Sequence, residues 1–214
     1  PLAGRFQFVA PGVDLAVPER ALTRLPQWLQ GELVLVEEAP DGLLRRATAL
    51  QVAGALDDRY AAATQAKDLG AQWRAGRSHF AVWAPTAQQA WVCLHGDGAG
   101  RATQALPLQR EAATGIWRAH QPGDLSGRPY TFLVDVFVRG TGLVRNRVTD
   151  PYSLSLTTDS RHSVFTRLDS PALQPAGWDA TPAPRTVAAP TDMVIYELHV
   201  RDFSIGDLSV SAAH

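Results

Sequence analysis

The feature of this sequence that most limits its possible folds is a series of short apolar runs, each bounded by glycine, proline, aspartate or asparagine. In the run 130–138, alternate residues are apolar, and Leu133 and Phe137 make the second face apolar as well. A period of two is typical of β-strands, and two apolar faces predict a strand in the centre of a sheet. Two earlier runs, 79–83 and 90–94, follow the same pattern around a proline and predict two adjacent strands.

A smaller β-rich unit is predicted before these runs. Residues 32–37 and 48–52 flank the turn sequence Pro40-Asp41-Gly42, and this arrangement is typical of a β-hairpin. The alanine-rich residues 55–66 leave two alternatives open, a short helix or an extended connector.

The spacing of the strands predicts a mainly β chain built around an antiparallel, immunoglobulin-like β-sandwich of roughly 100 residues. We predict a small β-rich domain over residues 1–66, the sandwich over 67–168, a proline-rich linker over 169–190 and a further segment over 191–214. The linker rests on five prolines: Pro171, Pro175, Pro182, Pro184 and Pro190.

The run 193–200 is rich in β-branched and large residues, and it predicts a buried strand. About 14 residues follow it, too few for the crossover that a parallel sheet requires. Since the chain starts at Pro1 rather than at a methionine and stops at His214, we expect both ends to continue in a longer protein.

Composition excludes several function classes. Twenty Lys and Arg stand against 21 Asp and Glu without a basic run, so nucleic acid is not a predicted partner. No window approaches the roughly 20 apolar residues of a membrane span, and no targeting segment is recognisable. The single cysteine, Cys93, excludes an internal disulfide and a cysteine-based zinc site, and the scattered histidines show no metal-ligand spacing.

Four motifs occur in one order: FAVWAPTA at 80–87, GIW at 115–117, PGDLSG at 122–127 followed by Tyr130, and VTDPYS at 148–153. Together they resemble the family 48 carbohydrate-binding module that precedes the barrels of debranching and branching enzymes. YELHVRDFS at 196–204 resembles the first barrel strand of family 13 glycoside hydrolases of the pullulanase type. The early hairpin resembles the small domain that precedes this module, so the resemblance extends from about Leu25 onward.

The resemblance implies that the segment 191–214 is the truncated start of a (β/α)8 barrel. It also implies a parent enzyme that hydrolyses α-1,6 branch linkages in pullulan, amylopectin and limit dextrins by a retaining mechanism. Both catalytic carboxyl groups belong to later barrel strands, so we expect no catalytic residue in this chain and no activity from it alone. The implied partners are α-glucans, including glycogen, and the remainder of the chain's own barrel; the family also suggests an extracellular or cell-surface location.

Two alternatives stay open, a free-standing starch- or glycogen-binding module and a fragment of an isoamylase or branching enzyme. The strand-like run 193–200 argues against the first, because an independent module has no use for one unpaired strand with an exposed edge. The residues from Arg201 to Ser204 argue against the second, since isoamylases and branching enzymes share only the Tyr-Glu-x-His part of the motif.

Three polar residues near the end of the chain, Glu197, His199 and Arg201, would share one face of a strand. At a barrel mouth they would either form a hydrogen-bonded cluster that fixes the strand or contact substrate. Glu197 and Asp202 are not a catalytic pair, because an odd separation places them on opposite faces and too far apart to flank one bond.

The tryptophans are the candidate sugar contacts, because sugar rings stack on exposed aromatic faces. Trp83 and Trp117 lie in the family's motifs, and we predict that they pack in the core. Trp91 alternates with Ala90 and Val92, so it should point outward and either bind carbohydrate or pack on the barrel.

Two loops that carry tryptophans in glycogen-binding relatives correspond here to residues 95–98 and 140–143. Neither contains an aromatic residue, which predicts weak sugar binding by the module alone. Calcium occurs in related enzymes, and Asp57, Asp58 and Asp97 could supply oxygen ligands, but their spacing does not establish the six or more oxygens that calcium requires. We therefore predict no metal site and no cofactor for this chain, and calcium only for the parent enzyme.

Overall fold

The computed structural model describes residues 12–96, 100–183 and 187–209, with the exception of the side chain of Val200. The chain divides into two compact units, the first ending at Leu168 and the second beginning at Asp169. The first unit holds all the strands in the described part of the chain.

From residue 12 onward, the described part of the first unit begins with two one-turn helices and a β-hairpin: α1 (Glu19–Leu22), α2 (Leu25–Trp28), β1 (Val34–Glu38) and β2 (Leu44–Ala49). The hairpin is confirmed, with β1 and β2 antiparallel. Gly42 takes a positive φ of 82°, and the Leu43 amide donates to Asp41 Oδ1 at 3.1 Å, which closes the predicted turn. The hairpin is followed by the helix α3 (Ala53–Arg59) and a 3₁₀ turn at Ala61–Gln65, so residues 55–66 take the helical alternative.

The rest of the first unit is a sandwich of two β-sheets. Its strands are β3 (Gly70–Arg74), β4 (Arg77–Trp83), β5 (Gln89–His95), β6 (Ala102–Pro107), β7 (Gln109–Arg110), β8 (Ile116–Pro122), β9 (Pro129–Val138), β10 (Gly142–Val148) and β11 (Ser163–Val164). One sheet has the order β3-β4-β8-β7, and the other has the order β10-β9-β5-β6 with β11 also paired to β9. Every pairing of these strands is antiparallel, so the predicted antiparallel sandwich is confirmed.

Alternating residues of the two sheets meet in one core. The core contains Phe80 and Val82 of β4, Ala90, Val92 and Leu94 of β5, Trp117 of β8, and Tyr130 and Phe132 of β9. The prediction of a central β9 is confirmed, because β9 has partners on both sides. Burying each large apolar side chain contributes about 1.5–3 kcal/mol, so the alternation itself drives the two sheets together.

The prediction that the runs 79–83 and 90–94 are adjacent strands is wrong. β4 and β5 follow each other in sequence, but they belong to opposite sheets. The connection between them forms hydrogen bonds to both sheets. The Ala84 amide donates to the Gly115 carbonyl, just before β8 of one sheet, and the Gln88 amide donates to the Asp135 carbonyl in β9 of the other sheet. Pro85 lies between these two bonds and has no amide to continue a ladder, so the chain crosses the core instead of turning back.

The small N-terminal elements pack onto the sandwich within the first unit. Tyr60, after α3, is 2% exposed, and its hydroxyl accepts a hydrogen bond of 2.5 Å from Arg110. Arg110 also donates to the Pro85 carbonyl at 3.1 Å. The Gln30 side chain donates to the Ala87 carbonyl at 2.7 Å, which joins the loop after α2 to the same connection.

A polar network inside the sandwich explains the VTDPYS motif. The Tyr130 hydroxyl donates to Asp150 Oδ2 at 2.6 Å, and the Tyr152 amide donates to Asp150 Oδ1 at 2.8 Å. Ser163 of β11 accepts from the Asp150 amide at 2.8 Å. Burial raises the pKa of Asp150 above its ordinary value, although both donors oppose that rise.

The second unit contains only short helical turns in its described residues: 3₁₀ turns at Pro171–Leu173, Trp178–Ala180 and Pro190–Asp192, and the helix α4 (Val200–Ser204). Of the prolines used to predict the linker, Pro184 lies outside the described residues. None of the helices within the described ranges is long and apolar enough to cross a membrane.

The predicted strand over 193–200 is not present. Residues 193–199 have no regular structure, and Val194, Ile195 and Tyr196 are 96%, 83% and 75% exposed. A strand requires a hydrogen-bonded neighbour, and the described residues of this unit provide none.

Candidate functional site

Trp91 lies on the outer face of the sheet β10-β9-β5-β6. Its neighbours Ala90 and Val92 are 2% and 0% exposed and belong to the core, so the alternation of β5 directs the indole away from it. The ring is partly exposed. The predicted outward orientation of Trp91 is confirmed.

An arginine side chain covers this ring. The guanidinium carbon of Arg145 lies 4.6 Å from the centroid of the Trp91 ring. Arg145 is held from its other side by Asp135, to which its Nε and Nη2 atoms donate two hydrogen bonds of 2.8 Å each. This two-point pairing fixes the plane of the guanidinium, and stacking on an aromatic face is a favourable position for a cation.

The register of three strands brings these side chains together. Gln89 of β5, Asp135 of β9 and Arg145 of β10 lie in one cross-strand row, and Trp91 lies opposite Leu133 in the next row of the same face. Long side chains reach diagonal neighbours across such rows. We call Trp91, Leu133, Asp135 and Arg145 the Trp91 surface.

Asp135 and Arg145 are not among the site residues predicted from the sequence. A signal for them exists, because the two residues are equally distant from Gly140, which lies in the turn between β9 and β10. A hairpin closed at that turn pairs an acid with a base directly across the two strands. The alternation within each strand does not reveal this pairing, because the pairing depends on how β9 and β10 align with each other.

Charge pairing dominates the electrostatics of the Trp91 surface. The hydrogen bonds from Arg145 hold the pKa of the Asp135 carboxyl below its ordinary value, and the same bonds raise the pKa of Arg145. Asp135 is 6% exposed, whereas the Arg145 side chain is 56% exposed. The acid is therefore the fixed member of the pair, and the arginine is the member that can move.

Apolar side chains extend the face beyond this pair. Phe137 and Leu143 lie opposite each other in the row next to Asp135 and Arg145, and they are 37% and 57% exposed. The turn at 139–141 that follows carries no aromatic residue, as the sequence predicts. Of the other loop predicted to lack an aromatic contact, residues 97 and 98 lie outside the described residues.

The two motif tryptophans differ in their environment. Trp117 is 6% exposed and packs in the core, where its Nε1 donates to the Ala84 carbonyl at 2.9 Å, so its predicted role is confirmed. Trp83 is 37% exposed, and the prediction that it packs in the core is wrong. It occupies the position of β4 that alternates with Phe80 and Val82, which take the core face.

The three polar residues predicted to share a strand face lie on exposed chain around α4. Arg201 Nε donates to Asp202 Oδ1 at 2.8 Å, and His199 Nδ1 lies 3.8 Å from Asp202 Oδ2. Glu197 is exposed. The structure thus gathers two of the three around Asp202, and their role at a barrel mouth stays a prediction.

Asp68 and Glu111 share an arginine as their partner. Arg118 donates to Asp68 at 2.6 Å and to Glu111 at 3.4 Å. Burial raises the pKa of Asp68, but its bonds to Arg118 and Arg74 outweigh burial and leave that pKa below its ordinary value. A general acid needs the opposite shift, so the arrangement is an ion-pair network rather than a catalytic pair.

No group of three or more potential metal-ligating residues is assembled in the part of the chain that the structure describes. Asp57 and Asp58 lie in α3, and Asp97, the third candidate calcium ligand, lies outside the described residues. Cys93 is free and buried, and burial raises the pKa of its thiol.

Comparison with known proteins identifies two family models in this chain. Residues 68–153 match the carbohydrate-binding module 48, described as the isoamylase N-terminal domain, and residues 1–58 match the pullulanase N2 domain. The second match begins at residue 1, earlier than the sequence motifs indicated.

Relatives and solved structures agree with these models. A pullulanase of Klebsiella pneumoniae is 38% identical over 212 residues, which is 97% of this chain and 19% of that protein. The chloroplastic pullulanase 1 of Arabidopsis thaliana is 32% identical over 187 residues, 85% of this chain and 19% of its own length. A crystal structure of Klebsiella pneumoniae pullulanase complexed with maltotriose matches with a TM-score of 0.69 at 34% identity, covering 78% of this chain and 18% of that one. The chain therefore spans about a fifth of the length of these relatives.

Proposed function

This chain contains a family 48 carbohydrate-binding module and matches the N-terminal region of pullulanases, and on that premise we propose that it is the accessory N-terminal portion of a pullulanase-type glycoside hydrolase. The parent enzyme hydrolyses α-1,6-glucosidic branch linkages in pullulan, amylopectin and limit dextrins. The observation that carries the proposal is the similarity along 97% of this chain to 19% of a pullulanase.

The chain supplies accessory structure and carbohydrate contacts rather than catalytic groups. A retaining glycosidase places two carboxyl groups about 5–5.5 Å apart, one of them with a raised pKa. Asp68 and Glu111 are both held by Arg118, and the pKa of Asp68 is lowered. These features support the assignment of both catalytic carboxylates to the remainder of the enzyme.

Trp91 is the proposed carbohydrate contact of the module. Its partly exposed indole lies on an open sheet face, and glucose rings present flat C–H faces to such rings. A single aromatic contact contributes about 0.5–1.5 kcal/mol beyond its buried area, which leaves little after the entropy of association. We expect the chain to bind α-glucan weakly, with a dissociation constant on the order of millimolar.

The same face also suits a contact with the enzyme's own catalytic barrel. Phe137 and Leu143 lie exposed beside the Trp91 surface, and apolar side chains on an accessory domain are commonly buried against a neighbour. In an intact enzyme a weak glucan contact still counts, because tethering beside the barrel raises the effective concentration to about millimolar.

Affinity electrophoresis or calorimetry with amylopectin tests the carbohydrate contact. The unmodified chain should bind weakly, and Trp91→Ala should abolish the binding. Trp178→Ala is the matched control, because Trp178 is 64% exposed and lies outside the sandwich. Micromolar binding, or binding that survives loss of Trp91, would show that another surface recognises the glucan.

A further inference from the structure

We propose that Arg145 acts as a gate over Trp91. The arginine side chain must move off the indole before a glucose ring can stack there. The proposal rests on the proposed role of Trp91 as a glucan contact. It adds a pair that controls glucan affinity, Arg145 and Asp135, which the sequence motifs do not contain.

A stacked glucose ring and the Arg145 guanidinium need the same space above the Trp91 ring. A sugar that stacks on an aromatic ring occupies the layer directly above it, at van der Waals distance. The guanidinium of Arg145, 4.6 Å from the ring centroid, fills that layer. A glucose ring and the guanidinium cannot occupy it together, so binding on this face requires that Arg145 leave.

Asp135 holds Arg145 in its position over the Trp91 ring. Both Arg145–Asp135 hydrogen bonds are 2.8 Å long, and the Asp135 side chain is only 9% exposed, so the anchor is rigid. The Arg145 side chain is 56% exposed and can rotate into solvent once these bonds open. Because the arginine is more than half exposed, its ion pair and its cation–π contact are both weakened by solvent, so the gate reduces glucan affinity without abolishing it.

The first measurement is affinity electrophoresis of the 214-residue chain in amylopectin gels. Arg145→Ala should bind about threefold to tenfold more tightly than the unmodified chain, the factor expected from removing one weak covering contact. Asp135→Asn, which removes the anchor but keeps the arginine, should give a smaller gain. Arg145→Ala combined with Trp91→Ala should not bind.

The matched control is Arg147→Ala. Arg147 lies two residues further along β10, opposite Leu133, and its loss changes the net charge by the same amount. If the gain came from charge alone, both arginine variants would show it. The gate predicts a gain for Arg145→Ala only.

A second measurement, made without sugar, tests whether Arg145 shields the Trp91 indole from solvent. Acrylamide quenching of indole fluorescence, taken as the difference between proteins with Trp91 and with Trp91→Phe, isolates this ring from the other tryptophans. The Trp91 component should be quenched more strongly in Arg145→Ala than in the unmodified chain. Far-UV circular dichroism checks that each variant is folded.

The outcomes separate the two proposals. Tighter binding together with stronger quenching supports the gate. Weaker binding by Arg145→Ala overturns it and makes the arginine itself a sugar contact. Stronger quenching with no amylopectin binding in any variant overturns the proposed glucan role of Trp91, and the gate with it, while leaving Arg145 as a structural cover. Unchanged quenching shows that Arg145 does not cover the ring in solution and overturns the gate alone.

Discussion

Among the described residues of the first unit, arginine side chains lie over three tryptophan rings. The distances from guanidinium carbon to ring centroid are 5.6 Å for Arg24 over Trp28, 5.9 Å for Arg167 over Trp73 and 4.6 Å for Arg145 over Trp91. The guanidinium is weakly hydrated and planar, so it covers an exposed indole without burying an unpaired charge. At the residue scale, these three rings are partly covered, whereas Trp83 and Trp178 stay 37% and 64% exposed.

Two buried histidines form the other notable contact at this scale. His95 and His162 are 1% and 2% exposed, and their rings pack edge to face at 4.3 Å. His95 bonds to the Gly100 carbonyl and to Thr131, whereas His162 Nε2 has no hydrogen-bond partner among the described residues. Burial, followed by the charges of His95, Arg147 and Arg161, lowers the pKa of His162.

This environment predicts acid sensitivity. Because the folded-state pKa of His162 lies below 6.5, the unfolded chain binds the proton first as the pH falls, and stability present above about pH 6.5 is lost below it. We expect the free energy of unfolding to fall as the pH is lowered from about 7.5 to about 5.5. Urea denaturation at the two pH values measures this fall, and His162→Phe should reduce it.

His199→Phe is the matched control, because it makes the same substitution at an exposed histidine outside the sandwich. The pKa of His79 is also lowered by burial, so some dependence should remain in His162→Phe. Asp150, whose pKa is raised, acts in the opposite direction and is common to all three proteins. An equal pH dependence in His162→Phe and the unmodified chain contradicts the prediction.

At the element scale, the strands follow from local pattern, and their partners do not. The alternation in β4, β5 and β9 identifies each strand and its core face, because Phe80, Val92 and Phe132 all lie in the core. The same patterns could not show that β4 and β5 belong to opposite sheets, since that depends on the five-residue connection bonding to both. The run 193–200 has a strand's composition, but strand formation needs a partner strand that its surroundings do not offer.

The start of β8 provides a test of element packing. Gly115 precedes β8 with a φ of 69°, and a Cβ atom there would lie 2.8 Å from Pro85 Cβ and 3.3 Å from Tyr60 Cδ1. We expect Gly115→Ala to destabilise the chain by about 2–4 kcal/mol, from backbone strain and the clash together. Gly140→Ala is matched in backbone, with a φ of 77°, but a Cβ there meets nothing within 4 Å.

Comparing the two variants isolates the effect of the steric contacts at position 115, because both variants carry the cost of a left-handed alanine, about 1–2 kcal/mol. Thermal or urea denaturation gives the two changes in unfolding free energy. Equal losses of unfolding free energy in the two variants would mean that the packing of Tyr60 and Pro85 against the start of β8 leaves room for an added methyl group, and would contradict the prediction.

At the scale of the whole molecule, the chain has the architecture of accessory domains. Its first unit is a packed sandwich with a small N-terminal part docked through Tyr60 and Arg110, and its second unit has little regular structure in the described residues. The mainly β fold and the similarity to pullulanases could be predicted from sequence, because they rest on local motifs such as FAVWAPTA. The cover over Trp91 could not, since it depends on three strands meeting in one register.

Reducing-sugar release from pullulan by the purified 214-residue chain tests the central claim most directly. A pullulanase with an intact catalytic domain serves as the positive control. We predict no hydrolysis above the buffer blank, because a retaining glycosidase requires two carboxyl groups on either side of the scissile bond, and under the proposed function both belong to the remainder of the enzyme. Turnover that survives further purification and disappears in Glu197→Gln would contradict this claim and place an active site within the chain.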